Sequence, residues 1–246
     1  MKKLLSLLFM GLVLFSCSKD DSPSTNNTTT SPLATTPSAK ADNDASNTGV
    51  YKGVFVGSTG FLSISIKNGD DKVTATLKVD GKTFSFTAAG EVIKGQAIDA
   101  LKFMNPEGHS FKLTVSADGS TYSISEILVA GHPNAVIDLF KEKSNVLIKC
   151  YEGSYASKTD TNNKGTFNLI VAENKFKGLA RATGDNETSY IYGTVNNGTV
   201  TGSASGNASI SGKIEGDSII LKMQPFKPAR FEDSYPKVVF DKKYSI

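Results

Sequence analysis

The chain has 246 residues, 39% hydrophobic, 21% charged and 9% aromatic, with 27 basic against 24 acidic side chains for a formal charge of +3. Setting aside Lys2 and Lys3 leaves 25 basic against 24 acidic residues, or +1, too even a balance for a broad nucleic-acid face. Twenty-two glycines, no tryptophan and abundant serine, threonine and asparagine fit a β-rich secreted chain of one or two domains.

Residues 1–16 read as a secretory signal peptide. Lys2 and Lys3 give a positive start, and Leu4 to Phe15 form an apolar run interrupted only by Ser6 and Gly11. As a helix that run spans about 18 Å, well short of the ~30 Å hydrocarbon core, so it predicts a cleaved leader and not a membrane span. Its end, Leu14-Phe15-Ser16-Cys17, resembles the lipobox of bacterial lipoproteins, with Phe15 standing where that family prefers a small residue. The resemblance implies cleavage behind Ser16 and diacylglyceryl attachment at Cys17. At ~0.8 kcal/mol per buried methylene, two or three acyl chains would hold the protein on a membrane. Ser18-Lys19-Asp20-Asp21 is similar to the acidic signal of surface-exposed lipoproteins of the Bacteroidota, which implies the outer membrane and its exterior face.

Residues 17–48 are expected to be the lipidated cysteine followed by a disordered tether. After Cys17 the only large apolar residue is Leu33, which is too little apolar area to offset the entropy of ordering the segment. The r.m.s. reach of such a leash is about 30 Å.

A first β module is expected over 49–145. Leu62, Ile64 and Ile66 alternate with serines; Val73, Ala75, Leu77 and Val79, then Phe84, Phe86 and Ala88, then Phe111, Leu113 and Val115 continue the pattern. Period two with polar partners predicts strands with one buried face, and Asn68-Gly69, Asp80-Gly81 and Asp118-Gly119 are hairpin-turn dipeptides. His132-Pro133-Asn134 predicts the start of one short helix ending near Lys143, with Val136, Ile137, Leu139 and Phe140 as its apolar stripe.

A second module is expected over 146–246. Strands are predicted at 167–171, 175–183, 188–195, 199–205, 208–213 and 218–223, with Lys237 to Phe240 as a closing strand. Starts about ten residues apart suggest small barrels or sandwiches built as antiparallel meanders. Tyr51-Lys-Gly53-Val-Phe55 and Tyr151-Glu-Gly153-Ser-Tyr155 share a Tyr-x-Gly-x-aromatic pattern 100 residues apart, a sign of two related copies.

No catalytic or metal-binding constellation stands out. Cys150 shares a strand face with Val146 and Ile148 and reads as a small core residue. His109 and His132 are isolated in apparent loops, lack a second ligand at a recognised spacing, and read as solvated. Asp160-Thr-Asn162-Asn-Lys164 fails as a calcium loop because Lys164 occupies a ligand position. Gly216-Asp217-Ser218-Ile219 looks like the opening block of GDSL-type esterases, but no histidine follows residue 132, so a turn is expected. Tyr190 and Tyr192 share one face of a strand. Pointing inward they would fill a barrel; pointing outward, with Ile191 inside, they would form a contact surface for a sugar or protein.

These readings predict an all-β, surface-anchored lipoprotein acting as a non-catalytic binding or accessory module, held on the membrane by its lipid. A small apolar ligand, a glycan or a protein are the candidate partners, without cofactor, metal or nucleic acid. A hydrolase assembled from distant loops and a structural surface component are the alternatives.

Overall fold

The computed structural model describes residues 34–156, 162–205 and 208–224, and the backbone of 237–244. Cys17, the leader, the first part of the tether and Asp160 lie outside the described residues. The architecture is all-β and antiparallel, with sixteen strands among the described residues. The first eight are β1 (Gly49–Val56), β2 (Gly60–Ile66), β3 (Val73–Val79), β4 (Lys82–Ala89), β5 (Ile98–Met104), β6 (Ser110–Val115), β7 (Tyr122–Leu128) and β8 (Val136–Glu142). The second eight are β9 (Ile148–Ala156), β10 (Lys164–Ala172), β11 (Lys175–Ala182), β12 (Ser189–Asn196), β13 (Thr199–Ala204), β14 (Ala208–Glu215), β15 (Ser218–Gln224) and β16 (Lys237–Tyr244).

The first eight form a sheet ordered β7-β6-β5-β4-β3-β2-β1-β8, whose two edges lie side by side so that the sheet nearly closes. The second eight close fully, β16 pairing back onto β9. In each unit the first strand is flanked by the second and the last. Tyr51 and Tyr151 hold the same place in β1 and β9, and both are fully buried. The shared strand plan agrees with two related copies.

Local chemistry fixes the meander. Asp80-Gly81 and Asn197-Gly198 each have both residues at positive φ (51° and 73°, 49° and 76°), the type I′ geometry that a two-residue hairpin selects. The alternating apolar residues face inward. In the first unit Phe103 stacks on Phe111 at 4.8 Å, Phe86 meets Phe111 edge-on, and Tyr51 meets Tyr122 edge-on. In the second, Tyr151, Phe167, Leu169 and Phe176 fill the middle. Gly193 and Gly202 face each other across β12 and β13, and a Cβ on either would come within 2.7 Å of the Phe176 ring. Outward positions such as Ser63, Ser65, Thr74, Thr76, Ser85 and Thr87 are polar, the inverse of a lipid-facing barrel wall.

The expected helix at 133–143 is β8 instead. Ile137, Leu139 and Lys141 face inward, while Val136, Asp138 and Phe140 face the second barrel. A strand covered on both sides reads as a near-continuous apolar run, which imitates a helical stripe. Strands β5 and β7 escape the alternation rule for another reason. Ala100 (φ 49°) and Glu126 (φ 47°) are left-handed and coincide with register shifts, so each inserts a bulge that reverses which residues face inward.

The tether expectation for 17–48 is also corrected at its carboxyl end. Residues from Ser38 pack on the first barrel, with Ala39, Asn43, Ser46, Asn47 and Thr48 buried and a 3-10 turn at Ala41–Asn43. Hydrogen bonds supply the order that apolar area could not. Asn47 donates to Ile93 O (2.9 Å) and accepts from Gly95 N (2.8 Å), and its carbonyl accepts from the Tyr51 hydroxyl (2.8 Å). The Lys141 ammonium donates to the carbonyls of Asn43 (2.6 Å) and Ser46.

A third apolar cluster joins the barrels. Val54, Val56 and Phe61 from the first meet Ile148, Cys150, Ile170 and Leu179 from the second. This explains why β1 is buried along its whole length. Polar bonds frame the seam: Asn168 Nδ2 donates to Phe55 O (2.6 Å) and Ser58 O (2.9 Å), and Lys177 Nζ donates to Asp138 Oδ1 (3.0 Å) and Leu139 O (2.9 Å). At its other end Lys52 pairs with Glu142 at 2.8 Å, and Glu142 also accepts from Ile148 N (3.2 Å).

Candidate functional site

Outward residues of β10 and β11 alternate toward the first barrel, and the row ends at Thr166 and its cross-strand partner Arg181. Beyond the apolar seam the barrels diverge, leaving a cleft of about 210 Å³. Its floor and sides come from Gly57 after β1, Gly131 to Asn134 before β8, and Arg181 to Asn186 leaving β11.

Arg181 is the chemical centre of this cleft. It is only 9% exposed, yet it takes part in no ion pair among the described residues. Its Nη2 donates to Asn134 O (2.5 Å) and Thr188 Oγ1 (2.6 Å), both neutral acceptors. Nε is buried and has no partner among the described residues, and neither has the neighbouring Thr166 hydroxyl. Nη1 lies over Gly57, where a Cβ would approach to 2.9 Å, and Gly57 has φ +98°. Burial lowers the Arg181 pKa, offset in part by the charges of Asp185 and Tyr190. A guanidinium stays protonated under such a shift, so the site carries one incompletely neutralised positive charge.

Next to it, Ser58, Asp80 and His132 form a second polar group. His132 Nε2 lies 2.9 Å from Asp80 Oδ2, its ring stands edge-on to Phe55, and Ser58 donates to Asp80 Oδ1. Serine and histidine both engage the carboxylate and not each other, so the three groups do not form the serine–histidine–carboxylate relay of a catalytic triad.

Tyr190 and Tyr192 stand on the outer face of β12, 49% and 60% exposed, while Ile191 is buried. The barrel-filling orientation is therefore overturned, because the parity of β12 puts Ile191 inside. Thr188, Tyr190 and Tyr192 form one outward row beside Arg181 and Lys177. Cys150 is buried, though in the seam between barrels and not within one, and burial pushes its thiol up to about 12. His109 is not solvated as expected. It is buried against Phe84 at 4.4 Å between ring centres, and its Nδ1 accepts from Ala130 N. Gly216-Asp217 forms the two-residue turn between the paired residues Glu215 and Ser218. Among the described residues no group of three or more His, Cys, Asp or Glu gathers to hold a metal.

Arg181 escaped sequence reasoning because Arg-Ala-Thr-Gly carries no motif. The outward row of β11 already carries Lys175 and Lys177, so one more cation at 181 does not stand out. The chain matches no family model, no curated protein and no solved structure.

Proposed function

We propose that the chain is a surface-anchored lipoprotein of the outer membrane whose two-barrel body acts as a non-catalytic binding module. The observation that carries this reading is where packing is complete and where it is not. Aromatic and aliphatic side chains fill both barrels, which disfavours carriage of an apolar ligand inside either. Two of the four buried polar atoms left unpaired among the described residues, Thr166 Oγ1 and Arg181 Nε, instead lie at the Arg181 cleft, the others being Tyr151 Oη inside the second barrel and Asn168 Oδ1 in the seam. The exposed Tyr190–Tyr192 row stands beside that cleft. Exposed tyrosines beside a charged cleft suit contact with a partner. The lipobox resemblance at Cys17 supports the anchor, and about twenty residues separate Cys17 from Ser38, where the chain packs on the first barrel.

The anchor is tested by labelling cells with palmitate. The parent chain takes the label and the Cys17→Ala variant does not, and protease added to intact cells removes the parent chain. Label retained by the variant, or a parent chain protected from protease, overturns the proposal.

A further inference from the structure

We infer that the cleft between the barrels binds the carboxylate of a small organic acid, with Arg181 as its binding residue. The inference rests on the binding-module reading and supplies its ligand chemistry. A guanidinium removed from water needs an anion or a full set of acceptors, because desolvation otherwise goes uncompensated. Arg181 has two acceptors, both on Nη2, and lines an open cleft. Nη1, without a hydrogen-bond partner among the described residues, lies over Gly57, whose missing side chain leaves room beside it.

Charge selects the anion. One guanidinium supplies one positive charge, and the carboxylate of Asp185 also lines the cleft without pairing to it. Asp185 is occupied locally, accepting from Glu187 N at 3.0 Å. A dianion such as sulfate would meet that second negative charge, whereas a planar monoanion fits the fork of a single arginine. The exposed ring of Tyr190, one outward step along the strand from Thr188, offers a face to a ligand whose carboxylate is carried on a sugar ring.

The test is calorimetric titration of the full chain in detergent, paired with thermal unfolding followed by circular dichroism. The ligands are acetate, glucuronate, glucose and sulfate, each raised to about 10 mM, where millimolar affinity saturates. Acetate and glucuronate bind and raise the unfolding temperature, while glucose and sulfate do not. Arg181→Lys and Arg181→Gln each weaken binding by about tenfold or more, since neither keeps the planar charged fork. Asp185→Asn keeps the acceptor for Glu187 N and removes the competing charge, so it tightens binding; a purely structural arginine would show no such gain. Tyr190→Ala weakens glucuronate and leaves acetate unchanged if the acid belongs to a sugar; equal loss or no loss assigns the site to simple acids, with the carboxylate inference intact. No response to either acid, an equal response to glucose or sulfate, or undiminished binding by folded Arg181→Lys overturns the inference. Cys17 labelling and surface exposure are unaffected by that outcome, so the anchored-module reading is judged separately.

Discussion

Glu142 shows how one side chain can hold several parts of the chain together. It is fully buried, pairs with Lys52, accepts from the Ser38 amide and hydroxyl at 2.9 and 2.6 Å, and accepts from Ile148 N. Burial works against its charge, but the bonds from Lys52 and Ser38 and the charge of Lys52 outweigh it, leaving the carboxyl below its ordinary 4.5. A carboxyl depressed in the folded state contributes stability above its unfolded pKa and loses it as pH falls through the folded value. The urea midpoint should therefore be level above about pH 5 and decline below it, with a shallower decline in a Lys52→Met/Glu142→Leu double variant. Glu142→Ala alone should cost about 3–5 kcal/mol at neutral pH because it strands the Lys52 ammonium, and the double variant should recover much of that. Urea unfolding at a series of pH values checks both expectations. A double variant as unstable as Glu142→Ala would assign the loss to packing.

At the level of single elements, legibility depended on whether a strand had one wet face. Strands β3, β4 and β6, and β2 beyond Phe61, alternate cleanly because their outer side is not covered by the second barrel, and the period-two pattern located them. Strand β8 has protein on both sides, so Val136 to Phe140 lost the alternation and read as helix. The bulges at Ala100 and Glu126 erased it in β5 and β7. The segment 38–48 was illegible for a different reason: its order comes from Asn, Ser and Thr bonded to one another and to the distant residues Asn68, Ile93 and Glu142, and from Lys141 donating to its carbonyls, which composition scores as disorder. A chain beginning at Gly49 should therefore be less stable than one beginning at residue 34. It loses the acceptors of the buried Lys141 ammonium and the partner of the Tyr51 hydroxyl, at about 1–3 kcal/mol for each buried group left unsatisfied. Equal urea midpoints for the two chains would show that the segment only rests on the barrel. Arg181 and its cleft were beyond sequence reasoning altogether, since they depend on how two barrels meet.

Across the whole molecule, the apolar seam should make the two barrels unfold together. Seven buried residues from both units form it, and Asn168, Lys177 and Arg181 bond across it. The parent should show one calorimetric transition, and Leu179→Asp, which places a charge in the seam, should split it into two. Cys150 reports the same event. In a Cys17→Ala background its thiol should react with a disulfide reagent only at the rate of unfolding, and at once in the Leu179→Asp chain. Rapid reaction in the parent would mean the barrels separate without unfolding.

The position of Ser38 has a mechanical consequence. Tension applied from the amino-terminal side of the body enters at Ser38 and is handed directly to Glu142. That carboxylate grips β1 through Lys52 and the start of β9 through the Ile148 amide, so the pull is divided between both barrels at their junction. Force loaded there reaches both barrels through one carboxylate at their junction.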